Sequence, residues 1–414
     1  MLAALLKAVV RTGTLTVQRP GSAPLVFGSG EPRIAIRFHD RRGLYEVGMN
    51  PDMKLGELYM DGRLTVEDGS IRDLLDFLMR NLAHSGITPW HKAGRVVRRM
   101  LRPFKQFNRA AQSKAHVAHH YDLSDTLYDL FLDKDRQYSC AYFNSPDDTL
   151  EEAQIAKKRH IAAKLSLDKT DMTVLDIGSG WGGLSLDIAR DTGAKVLGVT
   201  LSEEQLAVSR ERSAKAGLAQ RCRFELTDYR ALTGKFDRIV SVGMFEHVGA
   251  PYYEAFFAKV RDLLSDDGAM LLHTIGRTDG PGATNAWIAK YIFPGGYVPA
   301  LSEVLPIIER SGLIVTDIEV LRLHYAETLL AWQQRFAANR AEIAKLYDER
   351  FCRMWEFYLA GSEMAFRHDG QVVFQIQLAK KIDTLPMTRD YMYQKERTMR
   401  FAGVTAMPHE GRAA

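Results

Sequence analysis

Cysteine is scarce, with three in 414 residues. Cys140, Cys222 and Cys352 lie far apart and form no CxxC pair. An odd, scattered set excludes a disulfide framework and a zinc knuckle, so no metal site is expected and a reducing cytoplasm fits. No run of about 18 apolar residues occurs, which excludes a bilayer-spanning helix. The apolar start, MLAALLKAVVRTGTLTV, is broken by Lys7 and is followed by no small-residue cleavage site, so it reads as a short amphipathic helix and not as a signal peptide. Internal repeats and low-complexity tracts are missing. Acidic residues are absent from His84 to His120, where Lys92, Arg95, Arg98, Arg99, Arg102, Lys105, Arg109 and Lys114 gather, although the whole chain has a net charge of only +4. At helical spacing Arg95, Arg98, Arg99 and Arg102 share one face, while Val96, Val97, Met100 and Leu101 occupy the others. Such a segment suits anionic phospholipid headgroups, and it equally suits an inter-domain helix with solvated arginines. No nucleic-acid-binding motif accompanies it, so nucleic acid is not an expected partner.

What is present is enough chain for two domains of ordinary globular composition, 46% hydrophobic and 26% charged. Residues 1–85 combine strand-like runs (LTVQ, IAIRF) with GSG and DRRG turns and a helical SIRDLLDFLMRNL, the pattern of a small α+β domain. Residues 86–118 form the basic linker. From Thr173 the chain alternates strand and helix: TVLDIGSG, KVLGVTLS, RFELTDY, RIVSVGMF and AMLLHTIG, joined later by LIVTDIEVL and VVFQIQLAK. Seven such runs predict an α/β domain over 119–381, Rossmann-like, with a mostly parallel seven-stranded sheet and long helices inserted at roughly 325 to 366. Residues 382–414 lack clear periodicity and read as an extension of unknown role.

In VLDIGSGWGG, Gly178, Gly180 and Gly182 stand at a strand-to-helix turn, where glycine lets the backbone approach a ligand. Asp176 at the strand end favours S-adenosylmethionine over a nicotinamide dinucleotide, because a carboxylate there repels a pyrophosphate and attracts an amino-acid ammonium. The next strand ends VTLSEEQ, where a ribose would be held; Ser202 and Gln205 also spell a capping box. Asp228 and Tyr229, after the third strand, are placed to meet an adenine or to form a surface turn. Glu246 and His273 fall at the ends of successive strands beside this turn, where open α/β sheets bind ligands. His247 competes with His273 for the role of base. Upstream, HHYDLSDTLYDLFLDKDRQYSCAYFN is rich in rings that would line an acyl tunnel or fill an ordinary core.

HYDLSDTLYDLFLDKDRQYSCAYF, LDIGSGWGG, VTLSEEQ, RIVSVGMFEHVG, LLHTIG and KYIFPGG, in this order, closely resemble the cyclopropane fatty-acyl-phospholipid synthase family, which includes the mycolic acid cyclopropane synthases. The similarity spans roughly Ala118 to Lys381, and LGELYMDGRL resembles the N-terminal domain of the bacterial phospholipid branch. The resemblance implies a class I methyltransferase that forms cyclopropane rings on unsaturated phospholipids, with a bicarbonate that removes the proton as the ring closes. It implies that Glu246, His273 and Tyr325, with backbone groups of Cys140 and Ile275, hold this bicarbonate, and that the thiol of Cys140 only fills space. It places S-adenosylmethionine against Tyr138 and Ser139, the Gly178–Gly182 turn, Thr200, Leu201, Gln205, Asp228 and Tyr229. It further implies a homodimer at the cytoplasmic face of a membrane. Ser179 departs from the cysteine of many relatives, a change the turn tolerates. A methyl- or methylene-branching enzyme, a non-catalytic lipid-binding protein and a nucleic-acid methyltransferase are the competing readings; the last lacks its NPPY-type motif.

Overall fold

The structure, a computed structural model, describes residues 2–85 and 124–399. The basic segment 92–114, the first residues of the aromatic stretch and the end of the tail from 400 lie outside them.

The N-terminal part is a four-stranded sheet in the order β2-β1-β3-β4, with β1 Gly13–Arg19, β2 Ser22–Ser29, β3 Arg33–Phe38 and β4 Leu64–Asp68. Along β1 every second side chain turns inward, so Leu15 and Val17 are buried while Thr14 and Thr16 stay half-exposed. The helix Leu2–Val9 buries Leu2, Leu6 and Val9 as its amphipathic spacing predicts. Two helices not legible in the sequence, Arg41–Met49 and Pro51–Met60, follow β3. The first is started by Asp40, whose carboxylate accepts from Gly43 N at 2.7 Å and pairs with Arg63.

A seven-stranded sheet in the order β10-β11-β9-β8-β5-β6-β7 carries the rest. Its strands are β5 Thr173–Ile177, β6 Lys195–Thr200, β7 Cys222–Leu226, β8 Phe236–Val242, β9 Leu264–Arg277, β10 Ile314–Leu321 and β11 Gln371–Ala379. β5 to β9 are parallel neighbours; β11 lies antiparallel between β9 and β10. This is the class I methyltransferase sheet expected from the seven apolar runs. Val174, Leu175, Ile239, Val240, Met270 and Leu271 are fully buried, as strands covered on both faces require. The strand order reverses at β5, which opens a crevice beyond its C-terminal end.

Three helices, His324–Ala338, Arg340–Leu346 and Glu349–His368, connect β10 to β11. The last packs against the N-terminal helices Ile71–Ser85 and Pro51–Met60. There the fully buried Glu363 receives both arms of Arg72, at 2.7 and 2.8 Å, together with Arg367 and Gln333. The tail departs from expectation: Asp390–Thr398 is a helix laid on Leu150–Lys164, held by ion pairs Lys395–Asp168 and Arg389–Asp317 and by Glu396 at 3.2 Å from His160 Nδ1. Its residues are mostly polar and only Met392 is buried, so the stretch shows no apolar stripe.

Candidate functional site

The crevice beyond β5 is a pocket lined by Tyr138, Ser139, Asp176, Gly178, Gly180, Thr200, Leu201, Gln205, Asp228 and Tyr229, all singled out in the sequence. Gly178 has φ +84°, and a Cβ on it would stand 2.9 Å from that of Met244. Its N–H and that of Ser179 donate to Val199 O at 2.9 and 3.0 Å, which ties the turn to β6. Gly182 differs from expectation. It does not line the pocket; at φ +83° it starts the helix Gly183–Thr192, and a Cβ there would meet the Phe224 ring at 2.7 Å. Its glycine serves close contact between helix and sheet.

Asp176 is fully buried, with Oδ2 accepting from Ser185 Oγ at 2.7 Å, and burial pushes its carboxyl up to about 6. Thr200 Oγ1 donates to Gln205 Oε1 at 2.9 Å. The capping box is therefore only half made: Ser202 Oγ accepts from Gln205 N, while the Gln205 amide turns to Thr200. Asp228 accepts from Arg230 N and Nε and starts the turn Tyr229–Ala231, so the cofactor position and the turn coexist. Tyr138 stacks on Trp332 at 5.1 Å and its hydroxyl meets that of Tyr358 at 2.8 Å. A glycine cradle that a side chain would fill, beside a buried carboxyl, fits the amino-acid end of S-adenosylmethionine.

Residues 135–141 form a strap of which Arg136 to Ser139 line one side of this pocket, and three side chains of one helix grip it. From Leu150–Lys164, Gln154 Nε2 donates to Gln137 O and Ser139 O, and Lys157 Nζ to Gln137 Oε1 at 2.5 Å and Ser139 Oγ at 2.9 Å. Lys158 pairs with Asp135 at 2.7 Å and Asp187 at 2.5 Å. The spacing i, i+3, i+4 puts all three on one face. Lys157 is fully buried, and that burial pushes its ammonium down to about 7. Lys157→Met should raise the KM for S-adenosylmethionine by about tenfold, the cost of losing hydrogen bonds to one charged group. Initial rates at varied cofactor check this; an unchanged KM would mean the strap holds without it.

A second polar group gathers around Glu246. β8 ends at Val242, so Glu246 stands not on the strand but in the turn Phe245–His247. Its Oε1 accepts from Ile275 N at 2.6 Å, while Oε2, buried, has no partner among the described residues. Burial pushes Glu246 up to about 7. His273 stands two residues before Ile275 on β9, and its Nδ1 is 3.1 Å from Gln375 Nε2. Burial holds its imidazole well below the ordinary histidine range. The other candidate, His247, instead lines the cofactor pocket. Cys140, Ile275 and Tyr325 share one apolar cluster, where the Tyr325 ring meets Trp332 at 5.8 Å and Phe366 at 4.9 Å. The Cys140 thiol donates to Ala141 O at 3.2 Å and burial pushes it far above the thiolate range, which disqualifies it as a nucleophile. Tyr128 and Phe131 are fully buried core, with Phe131 at 6.0 Å from Trp332 and 5.8 Å from Trp355.

Residues 108–376 match the family model described as mycolic acid cyclopropane synthetase. The chain belongs to this family. It is 38% identical over 334 residues, 80% of this chain and 83% of the relative, to a cyclopropane-fatty-acyl-phospholipid synthase of Escherichia coli. It is 43% identical over 290 residues to a probable fatty acid methyltransferase of Pseudomonas putida, covering 67% of this chain and 73% of that one. A tuberculostearic acid methyltransferase of Mycobacterium tuberculosis matches at 35% over 397 residues, 91% of this chain and 88% of the relative. Among solved structures, a cyclopropane synthase of Mycobacterium tuberculosis superposes with a TM-score of 0.61 at 36% identity, covering 64% of this chain and 98% of its own. A mycolic acid cyclopropane synthase complexed with SAH and CTAB gives 0.60, also at 36% identity, over 64% of this chain and 97% of that one. This member of the cyclopropane synthetase family is an S-adenosylmethionine-dependent methyltransferase.

Proposed function

We propose that the enzyme transfers a methylene from S-adenosylmethionine to the cis double bond of an unsaturated phospholipid acyl chain and closes a cyclopropane ring. The observation that carries this reading is Glu246: a fully buried carboxyl, one oxygen fixed by Ile275 N–H and the other unpartnered among the described residues. A buried acceptor left unmade is costly, so its persistence points to a ligand that completes it. Bicarbonate fits, held by Glu246, His273 and Tyr325 with backbone groups of Cys140 and Ile275. A carboxyl poised near neutrality can share a proton with such an anion without bringing a second full negative charge. Because Ile275 N–H is already given to Glu246, its hold on the ligand passes through that carboxyl. When bound, bicarbonate would supply the base for the proton lost as the ring closes.

An alkene is a weak nucleophile and a carbocation is trapped by water. The residues around the cage therefore act by alignment and exclusion: the clustered rings of Tyr138, Tyr325, Trp332 and Phe366 keep the site dry and face a developing cation. We place the enzyme at the cytoplasmic face of a membrane, as a homodimer taking phospholipid from the surface; no helix among the described residues is long and apolar enough to cross a bilayer.

A second reading, a methyl- or methylene-branched product, draws on the relatives named fatty acid methyltransferase and tuberculostearic acid methyltransferase. Unsaturated phospholipid vesicles incubated with protein and S-adenosylmethionine decide between them, with chromatography and mass spectrometry of the released fatty acids. The ring isomer is expected. A branched isomer would keep methyl transfer and overturn ring closure, and no product with the cofactor bound would mean another acceptor.

A further inference from the structure

Gln375 is a fully buried amide on β11, directly opposite His273 in the antiparallel pairing with β9. Residues so paired meet side chain to side chain. The neighbouring pairs across the same ladder are Val373 with Ile275 and Gln377 with Leu271. Gln375 Nε2 lies 3.1 Å from His273 Nδ1, and Gln375 Oε1 has no partner among the described residues. The amide is buried, spends one of its groups on a histidine and leaves another unmade, a cost that an apolar side chain at this position would not bear.

A neutral imidazole carries one proton, on Nδ1 or on Nε2, and the hydrogen bond made by one nitrogen decides which. We infer that Gln375 is a positioning residue that donates to His273 Nδ1 and so fixes the ring as its Nε2–H tautomer, making the other nitrogen a hydrogen-bond donor. Burial keeps the ring neutral, which leaves the choice of tautomer as its remaining protonation question. A donor at Nε2 suits an oxygen of an anion and cannot take a proton, so His273 orients a ligand and is not the base. The inference rests on the reading of Glu246 and His273 as the reaction site.

The test uses the full-length protein with 15N-labelled histidine and a long-range proton–nitrogen spectrum, the His273 signals being assigned by their loss in His273→Gln. Wild type should show a protonated Nε2 and an unprotonated Nδ1. Gln375→Glu, whose carboxylate accepts a proton-bearing Nδ1, should reverse the pattern, and Gln375→Leu should give a mixture while preserving the fold. Both variants should lose about 10- to 100-fold in kcat, the usual cost of removing a group that orients an active-site histidine, with the KM for S-adenosylmethionine within about twofold. A wild-type ring protonated at Nδ1, or a pattern unmoved in both variants, would overturn the inference. Tautomers that shift as expected with kcat unchanged would instead sink the reading of this group as the reaction site.

Discussion

Glu246→Gln should lower kcat by about 10²–10³-fold and, above pH 7, make the protein more stable than the wild type. The two effects have one cause. Burial holds the carboxyl at about 7 against an ordinary value of 4.5. Between these values the unfolded chain has released this proton and the native state has not, so the wild type loses stability as pH rises from 4.5 toward 7 and stays at the lower level above it. The stability is fully present below 4.5, where both states are protonated. A shift of this size corresponds to roughly 3 kcal/mol. Glutamine copies the neutral carboxyl in shape and never ionises, so it keeps the low-pH stability at pH 8. It cannot share a proton with a bound anion, and loss of one preorganised group in a dry site typically costs about 10²–10³-fold in kcat. Urea unfolding at pH 5 and pH 8 beside product analysis checks both halves. A variant with wild-type turnover would make Glu246 a structural group, and equal stability at pH 8 would mean that burial costs the ionised carboxylate nothing and does not raise its proton affinity.

The second large effect is on stability. Trp287→Ala should cost about 3–5 kcal/mol, the range for removing a buried tryptophan whose surroundings cannot collapse. Trp287 is almost fully buried on the short helix Ala286–Tyr291, where Asn285 holds the first turn by accepting from Trp287 N and Ile288 N. Its indole N–H donates to Met60 Sδ at 3.3 Å, and its ring meets Phe357 edge-on at 4.8 Å. Gly56 faces it so closely that a Cβ would stand 2.5 Å from Nε1. One ring thus joins the helix Pro51–Met60 of the N-terminal part to the helices over the sheet, and its loss leaves a void at that seam. Denaturant unfolding should show a lowered midpoint, with the N-terminal part and the large sheet separating into two transitions. A loss under about 1 kcal/mol would mean the seam is held by its ion pairs, Lys290 with Glu57 and Arg72 with Glu363.

The number and type of the strands were legible because a strand buried on both faces must be apolar along most of its length, and VLDI, IVSV and MLLH each hold a single polar residue. The glycine turn was legible for a similar reason, although the spacing of Gly178, Gly180 and Gly182 does not tell which glycine faces a ligand; Phe224, distant in sequence, made Gly182 a contact residue. The face of Leu150–Lys164 that grips the strap was not legible. Lysines are ordinarily solvated, and Lys157 and Lys158 in QIAKKRH look like surface charge. Gln375 in VVFQIQLAK was not legible either, because two glutamines in an apolar strand carry no sign of which partner they turn to.

By itself the sequence determined the local elements, the seven-stranded class of sheet and the family, because steric freedom at glycine and the periodicity of apolar side chains act over a few neighbouring residues. Only the tertiary structure decided which polar groups lose their water and to whom they turn: Lys157 to Ser139, Ile275 N–H to Glu246, Gln375 to His273. Those pairings join segments up to about a hundred residues apart, and burial, which shifts their proton affinities, is a property of the closed fold and of no single stretch of chain.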